Sequence, residues 1–507
     1  MAKSILNRFD GGMAEDIRTT ATNQCASSVN FDISSNPNKL IPYSDPIAET
    51  HASGAITDYS ITDVAVLNIS GTTPTVYGMG RHASGSTNVS IFKKSSTSDI
   101  TAQWSAELAT NGSTLDPGTL ISYYDATAGV DKLYFHSANT GFYSFTDPST
   151  ISLVGSLSPV ISGVSYTRPF RHPIDNALYI ATANKVYKFD AVTYTSPTLM
   201  HTLDKNIEVS GFADNGSYLA IATRYIGRDK KSVVYLSNKD VLTPNELPFT
   251  AIPWGDESLV HIENIGGTLV GISYTENVGA YSTITGYKIF IKAYSGGIVT
   301  TVKEIITNRS DAIKIWTAKS GNKLYFGYDT DRALSVVGKN KLGNIYVTKD
   351  RYYNPSGSYI TGTFNGISFI GDIAFIAYQD GGTTGYLVRQ GTGTAYTLPA
   401  IYETTVNPDI PEAYRTLRKK LKSVRISYTV NAANGTVGVL YRQDSQTAAY
   451  TSIISQSKSS AGEYVTTASM TATGDPFDEG YELQFQLTST GNVSIKQFEY
   501  EWDVVND

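Results

Sequence analysis

Ala177-Leu-Tyr-Ile180, the turn Ala183-Asn184 and then Val186-Tyr-Lys-Phe189 decide the fold. Leu178 and Ile180 alternate at strand period, the short pair after them resembles a hairpin turn, and Val186, Tyr187 and Phe189 begin a second strand. The same phrase, a small or polar turn and then an apolar, often tyrosine-bearing strand, recurs along the chain. It stands at Pro74-Thr-Val-Tyr-Gly78, Lys132-Leu-Tyr-Phe135, Ser217-Tyr-Leu-Ala-Ile221, Thr268-Leu-Val-Gly-Ile272, Lys323-Leu-Tyr-Phe326 and Asp372-Ile-Ala-Phe-Ile376. Between Val76, Leu133, Leu178, Tyr218, Leu269, Leu324 and Ile373 the intervals are 57, 45, 40, 51, 55 and 49 residues. A period of roughly 40–50 residues with several strand signals per period fits a radial array of four-stranded sheets. One such sheet cannot bury both faces alone, whereas stacking in a closed ring buries them and leaves no long edge. The spacing predicts an all-β chain whose residues 55–395 form a β-propeller of about seven blades. That number rests on spacing, because neither a Trp-Asp dipeptide nor a kelch-type double glycine recurs at a fixed place.

Composition agrees with strands. The 507 residues include 35 tyrosines, 18 phenylalanines and 43 glycines, and only 17% are charged. Cys25 is the single cysteine, so this chain cannot form an internal disulfide or a zinc-thiolate cluster. The opening residues lack the apolar core of a signal peptide, and no run approaches the ~18 apolar residues of a membrane span, so synthesis and folding in a cytosol are expected. A formal charge of −6 speaks against a general affinity for nucleic acid.

Residues 1–54 are polar and broken by Gly11-Gly12, Asn36-Pro37 and Asp45-Pro46, and read as an extended arm. Such an arm is held by another part of the fold or by a neighbouring subunit. Residues 396–415 read as a linker. From 416 to 507, Val424, Ile426, Tyr428 and Val430 alternate with polar residues, Asn434-Gly435 marks a turn, and Leu483, Phe485 and Leu487 form another half-buried strand. In the last strand the inward set changes parity between Ile495 and Phe498, which predicts a bulge near Lys496-Gln497. A β-sandwich is the best reading of this region.

No catalytic signature stands out, and no cofactor or metal site is predicted. The six histidines are scattered without ligand spacing. Asp256 and Glu257, and Asp329 with Asp331, are the carboxylate pairs that a propeller glycan hydrolase would need. Loops of a chain with 46 acidic residues produce such pairs by chance, so the chain is read as non-enzymatic. Arg415, Arg418, Lys419, Lys420, Lys422 and Arg425 place six positive charges in eleven residues. They read either as a partner contact or as a solvated strand entrance, with transient contact to DNA behind both. Trp254, Tyr352 and Tyr353 are the first candidates for stacking on a glycan, with ordinary core packing as the plainer alternative.

The arm carries Phe9-Asp-Gly-Gly-Met13, Asp16-Ile-Arg18, Asn30-Phe-Asp-Ile33, Asn36-Pro37, Lys39-Leu40 and Pro42-Tyr43. This resembles the opening of virion structural proteins of tailed bacteriophages, in which such an arm precedes a large β-propeller and a small β-sandwich. The resemblance implies a tail nozzle or hub-like protein located in the virion. Copies would form a ring with other tail proteins, adaptor and fibres among them, around the path by which the genome is ejected. It brings no catalytic residues. A host-receptor or glycan-binding tail protein is the alternative.

Overall fold

A computed structural model describes residues 2–14, 18, 24–49, 59–67, 74–82, 89–94, 104, 109–110, 119–125, 130–137, 141–146, 150–155, 167–173, 175–190, 196–216, 218–226, 231–238, 250–278, 284–307, 315–328, 333–340, 342–355, 364–380, 384–391, 395–445, 447–470 and 479–505. They fall into two units, Ala48–Asp331 with Tyr359–Arg389, and Met1–Ile47 with Arg332–Ser358 and Gln390–Asp507.

Five short strands come first: β1 (Ala2–Leu6), β2 (Cys25–Val29), β3 (Phe31–Asp32), β4 (Ile41–Pro42) and β5 (Ile47–Ala48). Four-stranded antiparallel sheets then succeed one another. The first is β6 (Tyr59–Leu67), β7 (Thr75–His82), β8 (Val89–Lys93) and β9 (Ala109–Thr110). The second is β10 (Leu120–Asp125), β11 (Val130–Ser137), β12 (Gly141–Thr146) and β13 (Thr150–Gly155). The third is β14 (Phe170–Arg171), β15 (Leu178–Thr182), β16 (Lys185–Phe189) and β17 (Thr198–Thr202). The fourth is β18 (Ile207–Asn215), β19 (Tyr218–Tyr225), β20 (Ser232–Asn238) and β21 (Thr250–Gly255). The fifth is β22 (Ser258–Ile265), β23 (Thr268–Val278), β24 (Ile284–Ser295) and β25 (Ile298–Thr307). The hairpin β26 (Trp316–Ser320) and β27 (Lys323–Gly327) takes the sixth place in this unit, while β28 (Ala333–Lys339) and β29 (Ile345–Tyr352) pair with each other in the second unit. The last sheet is β30 (Phe364–Ile370), β31 (Ile373–Asp380) and β32 (Thr384–Gln390), with β5 at its outer edge.

The chain is a β-propeller protein, as the spacing predicts, and each repeated phrase lies on the second strand of its sheet: β7, β11, β15, β19, β23, β27 and β31. These strands are apolar at successive positions because both their faces are covered. All five residues of β15 are buried. Leu178 and Ile180 pack with Tyr134 and Phe142 of the preceding sheet, and Tyr179 and Ala181 with Phe212 and Leu219 of the following one. Tyr77 and Met79 meet Leu133 and Phe145 in the same way, and Trp254 meets Leu259 and Leu269. Between the sixth and last places Tyr325 and Phe369 bring their ring centroids to 5.4 Å.

Ring closure joins the first and last sheets. Ile61, Val76 and Trp104 share a core with Phe375, Ala377 and Leu387, and Ser368 Oγ donates to the Val64 carbonyl at 2.9 Å. Glu49, just after β5, fastens the seam. Its backbone N–H donates to Leu387 O on β32 at 2.9 Å, and its carboxylate accepts from Trp104 Nε1 at 2.8 Å and from Lys94 Nζ. Arg389 Nε lies 2.9 Å from the other carboxylate oxygen. The Glu49, Lys94 and Arg389 side chains are at most 2% exposed.

The second unit contains the predicted β-sandwich. Its further elements are β33 (Ala400–Thr404), α1 (Glu412–Arg415), β34 (Lys419–Val430), β35 (Gly435–Gln443), β36 (Thr451–Lys458), β37 (Gly462–Ser469), β38 (Leu483–Thr490) and β39 (Val493–Val504). The sheets run β1-β39-β34-β37 and β2-β33-β38-β35-β36. Val424, Ile426, Tyr428, Leu483, Phe485 and Leu487 all point inward, and Phe485 packs 4.9 Å from Phe498 and 4.7 Å from Tyr500. The bulge falls at Lys496, where Ser427 pairs with Gln497 but Tyr428 with Ile495. Asn434-Gly435 turns the chain from one sheet to the other rather than closing a hairpin, since β34 and β35 belong to different sheets.

One boundary differs from the sequence reading. The expected linker 396–415 contains β33, an inner strand of the five-stranded sheet, and the short helix α1. The arm is ordered by its own chain: β1 edges one sheet against β39, β2 edges the other against β33, and Leu40 bridges Ile495. Thr and Pro composition suggested a loose tether, and long-range pairing overrode it.

Replacing Glu49 with Ala removes the carboxylate shared by Lys94 and Arg389. Breaking a buried charge cluster of this kind costs about 3–5 kcal/mol. Equilibrium urea unfolding followed by tryptophan fluorescence should show that loss as a lower midpoint with little change in slope.

Candidate functional site

The first strands of the sheets, β6, β10, β14, β18, β22, β26 and β30, together line one cavity of about 450 Å³ within the propeller unit. Its wall is shaped by a repeated device. β6, β18, β22 and β30 each carry a register shift, at Ile61/Asp63, Val209/Gly211, Leu259/His261 and Phe364/Gly366. The extra residue bends each strand and re-aims the side chain that follows. Glycine follows the shift where a neighbour must come close. A Cβ on Gly366 would stand 2.1 Å from Asp63 Oδ1, and one on Gly211 would stand 3.3 Å from the Ile262 amide nitrogen.

Asp63 uses the space that Gly366 leaves. It is fully buried and accepts from the Leu120 N–H at 2.8 Å, the Val64 N–H at 2.9 Å and Arg168 NH1 at 3.0 Å, with NH2 at 3.4 Å. Burial lifts its carboxyl above the usual aspartate range, and the Arg168 charge and the two backbone donors offset part of that rise. On β22, Glu263 accepts from Lys319 Nζ at 2.7 Å and lies 3.8 Å from His261 Nε2. Burial alone would raise Glu263, but the neighbouring His261 imidazole and the Lys319 charge hold it below the usual glutamate range. Arg171, on β14, is exposed and donates from Nε to Asn176 Oδ1 at 2.7 Å. Among the described residues no three His, Cys, Asp or Glu side chains are grouped to hold a metal ion, and no helix is long and apolar enough to cross a membrane.

None of these cavity residues was singled out by the sequence. Thr167-Arg-Pro-Phe-Arg-His172 does stand out as a charged and aromatic run before the third phrase. Its two-residue strand gives no periodicity from which to tell an inward from an outward side chain.

The glycan-stacking candidates are core residues. Trp254 is 2% exposed and packs over Gly271, where a Cβ would come within 2.5 Å of the indole. Tyr352 and Tyr353 are buried, and the Tyr352 hydroxyl donates to the Pro399 carbonyl at 3.0 Å. Buried rings cannot stack on a sugar, so that assignment is corrected to packing. Glu257 pairs with Lys292 at 2.6 Å while Asp256 faces solvent, and Asp329 and Asp331 lie outside the described residues.

The basic segment is dispersed by its own pairing. Arg415 donates to the carbonyls of Arg18 at 2.6 Å and Asn407 at 3.2 Å. Lys419 is buried and gives hydrogen bonds to Arg415 O, Leu417 O and Tyr481 O at 2.9, 2.6 and 2.7 Å, and burial pushes its ammonium down to about 8. Arg418 faces Glu479 at 3.4 Å, Lys422 faces Asp503 at 3.4 Å, and Arg425 faces Glu499 at 3.6 Å. Lys420 is half-buried. What reads in sequence as one positive patch is therefore two structural cations, three ion-paired residues and the half-buried Lys420.

No protein-family model and no curated protein matches the chain. Several hundred solved structures do, with low similarity. Exo-β-1,3-galactanase from Phanerochaete chrysosporium is 13% identical over 90% of this chain and 99% of its own, with a TM-score of 0.31. BamB from Moraxella catarrhalis is 12% identical over 73% and 98%, with a TM-score of 0.38. The WD40 domain of Toxoplasma gondii coronin is 10% identical over 76% and 92%, with a TM-score of 0.43. With TM-scores below 0.5, these likenesses assign no activity, ligand or partner. The expectation that the chain is non-enzymatic is withdrawn: one of the matched structures is an exo-β-1,3-galactanase, and a likeness this weak neither assigns nor excludes an activity.

Replacing Lys419 with Met leaves three backbone carbonyls without their donor, which should cost roughly 1–3 kcal/mol. Lys420→Gln, which places no second carboxylate opposite Asp503 in the β34–β39 register, should stay within about 0.5 kcal/mol of the parent. Urea midpoints of the two variants, measured side by side, separate a structural lysine from a surface one.

Proposed function

We propose that this chain is a structural subunit of a tailed-bacteriophage virion, a nozzle- or hub-like component of the tail. It assembles with copies of itself into a ring, contacts other tail proteins and surrounds the path of genome ejection. The observation that supports this most is the use made of the N-terminal motif on which the phage resemblance rests. Phe9 is buried edge-on against Tyr402, with ring centroids 5.3 Å apart. Gly12 takes φ +71°, and a Cβ there would come within 2.6 Å of Tyr346 Cβ. The Met13 N–H donates to Val347 O at 2.7 Å. Asn30 adopts φ 62°, donates its N–H to Asp350 O at 2.7 Å and accepts from the Tyr43 N–H at 3.0 Å. The residues that carry the resemblance are thus the ones that fix the arm to its unit, which is what a shared architecture requires of a short motif.

A surface for neighbours lies around the same basic segment. Tyr414, Leu417 and Tyr481 are 45%, 40% and 50% exposed, and the carbonyls of Leu417 and Tyr481 hold Lys419 between them. Exposed aromatic and aliphatic side chains over a rigid, internally satisfied base suit a protein contact, whereas phosphate binding needs free positive charge. The segment therefore serves a partner subunit in this reading, and contact with DNA is secondary.

Native mass spectrometry of the purified protein, alone and mixed with other tail proteins, tests the proposal. A closed oligomer of identical chains is expected. A monomer at micromolar concentration under both conditions would sink it.

A further inference from the structure

The geometry points to the propeller cavity as a binding site for a small acidic sugar, a monosaccharide-sized ligand bearing one carboxylate. This goes beyond the assembly role and does not depend on it. The charge bookkeeping of the wall leads there. Arg168 is balanced by Asp63 at 3.0 Å and Lys319 by Glu263 at 2.7 Å. Among the described residues Arg171 has no carboxylate partner. Its Nε hydrogen bond goes to a neutral amide oxygen, Asn176 Oδ1, and its guanidinium carbon lies 5.8 Å from the centre of the Tyr123 ring. Its two terminal nitrogens have no partner among the described residues. A guanidinium pinned at Nε and open at its outer fork is arranged for two parallel hydrogen bonds to a carboxylate.

The rest of the wall narrows the ligand class. Phe170 and Phe369 contribute aromatic surface, and Ser122 and Ser320 contribute hydroxyl groups. One cation without a carboxylate partner among the described residues, apolar faces and hydroxyls in about 450 Å³ suit a sugar ring with an acid group, in the size range of small-ligand pockets. Inorganic phosphate would leave the aromatic faces unused and would ask for more than one free cation.

Isothermal titration calorimetry of the full chain with D-glucuronate, D-glucose and inorganic phosphate at low ionic strength tests the assignment. Glucuronate should bind, with glucose and phosphate each at least about tenfold weaker. Arg171→Gln should weaken glucuronate at least about tenfold with an unchanged thermal melt, because the side chain is exposed. Glu263→Gln leaves the Lys319 charge uncompensated and should tighten binding, so the two variants move affinity in opposite directions. Absence of glucuronate binding, phosphate binding as tight as glucuronate, or an Arg171→Gln variant that binds like the parent would each overturn it.

Discussion

The Glu49 carboxylate accepts from Lys94 and Trp104, which bridge each other between β8 and β9 of the first sheet, and pairs with Arg389 of the last, with all of these side chains buried. Two sheets separated by most of the chain must meet there, and apolar surface alone is non-directional. A buried ion pair gains little net stability against a well-packed apolar substitute, but a mispaired one is costly. The seam therefore forms with Glu49 in place or at a heavy penalty, and this fixes which strand lies at the outer edge. Because Glu49 precedes the first sheet and its N–H reaches Leu387, the N-terminal chain closes the ring it also begins.

The second unit uses the opposite chemistry for a similar problem. Its arm is fastened by backbone pairing, by a glycine at φ +71° and by a buried asparagine at φ 62°, with Phe9 and Leu40 as apolar anchors. Few charges are needed when the chain can complete existing sheets: β1 and β2 each add an edge strand and satisfy their backbone groups in doing so. The arm and the C-terminal strands belong to the same unit, so both termini are engaged by one core.

The fold was legible where burial imposes a period. Leu178 and Ile180 announced a strand because sheets cover both its faces, and the change of parity around Ile495 and Phe498 located a bulge because one residue too many reverses the buried face. Reading failed where the deciding partner is remote in sequence. Thr and Pro in 396–415 suggested a linker, although β33 is an inner strand held by β2 and β38. The cluster from Arg415 to Arg425 looked like free charge, since nothing local foretells that Tyr481 O, Glu479, Asp503 and Glu499 receive it. Trp254 looked like a platform, and only Gly271, on the second strand of the next sheet, shows that the ring fills a core. The cavity was invisible for the same reason, being assembled from one short piece of each sheet.

In a chain with 17% charged residues, three groups of charges among the described residues of the propeller unit enter the interior as compensated sets. Asp63 with Arg168, Glu263 with Lys319 and His261, and Glu49 with Lys94 and Arg389 each tie one sheet to another. Such pairing sharpens the meaning of a charge left without a counter-ion. At the cavity wall Arg171 is that charge among the described residues: it is the last residue of β14, and Asn176 in the following turn takes its Nε hydrogen bond without neutralising it. A structural arginine in this molecule, like Arg415, has its donors taken by carbonyls. The contrast between the two assigns Arg415 to the framework and Arg171 to whatever enters the cavity.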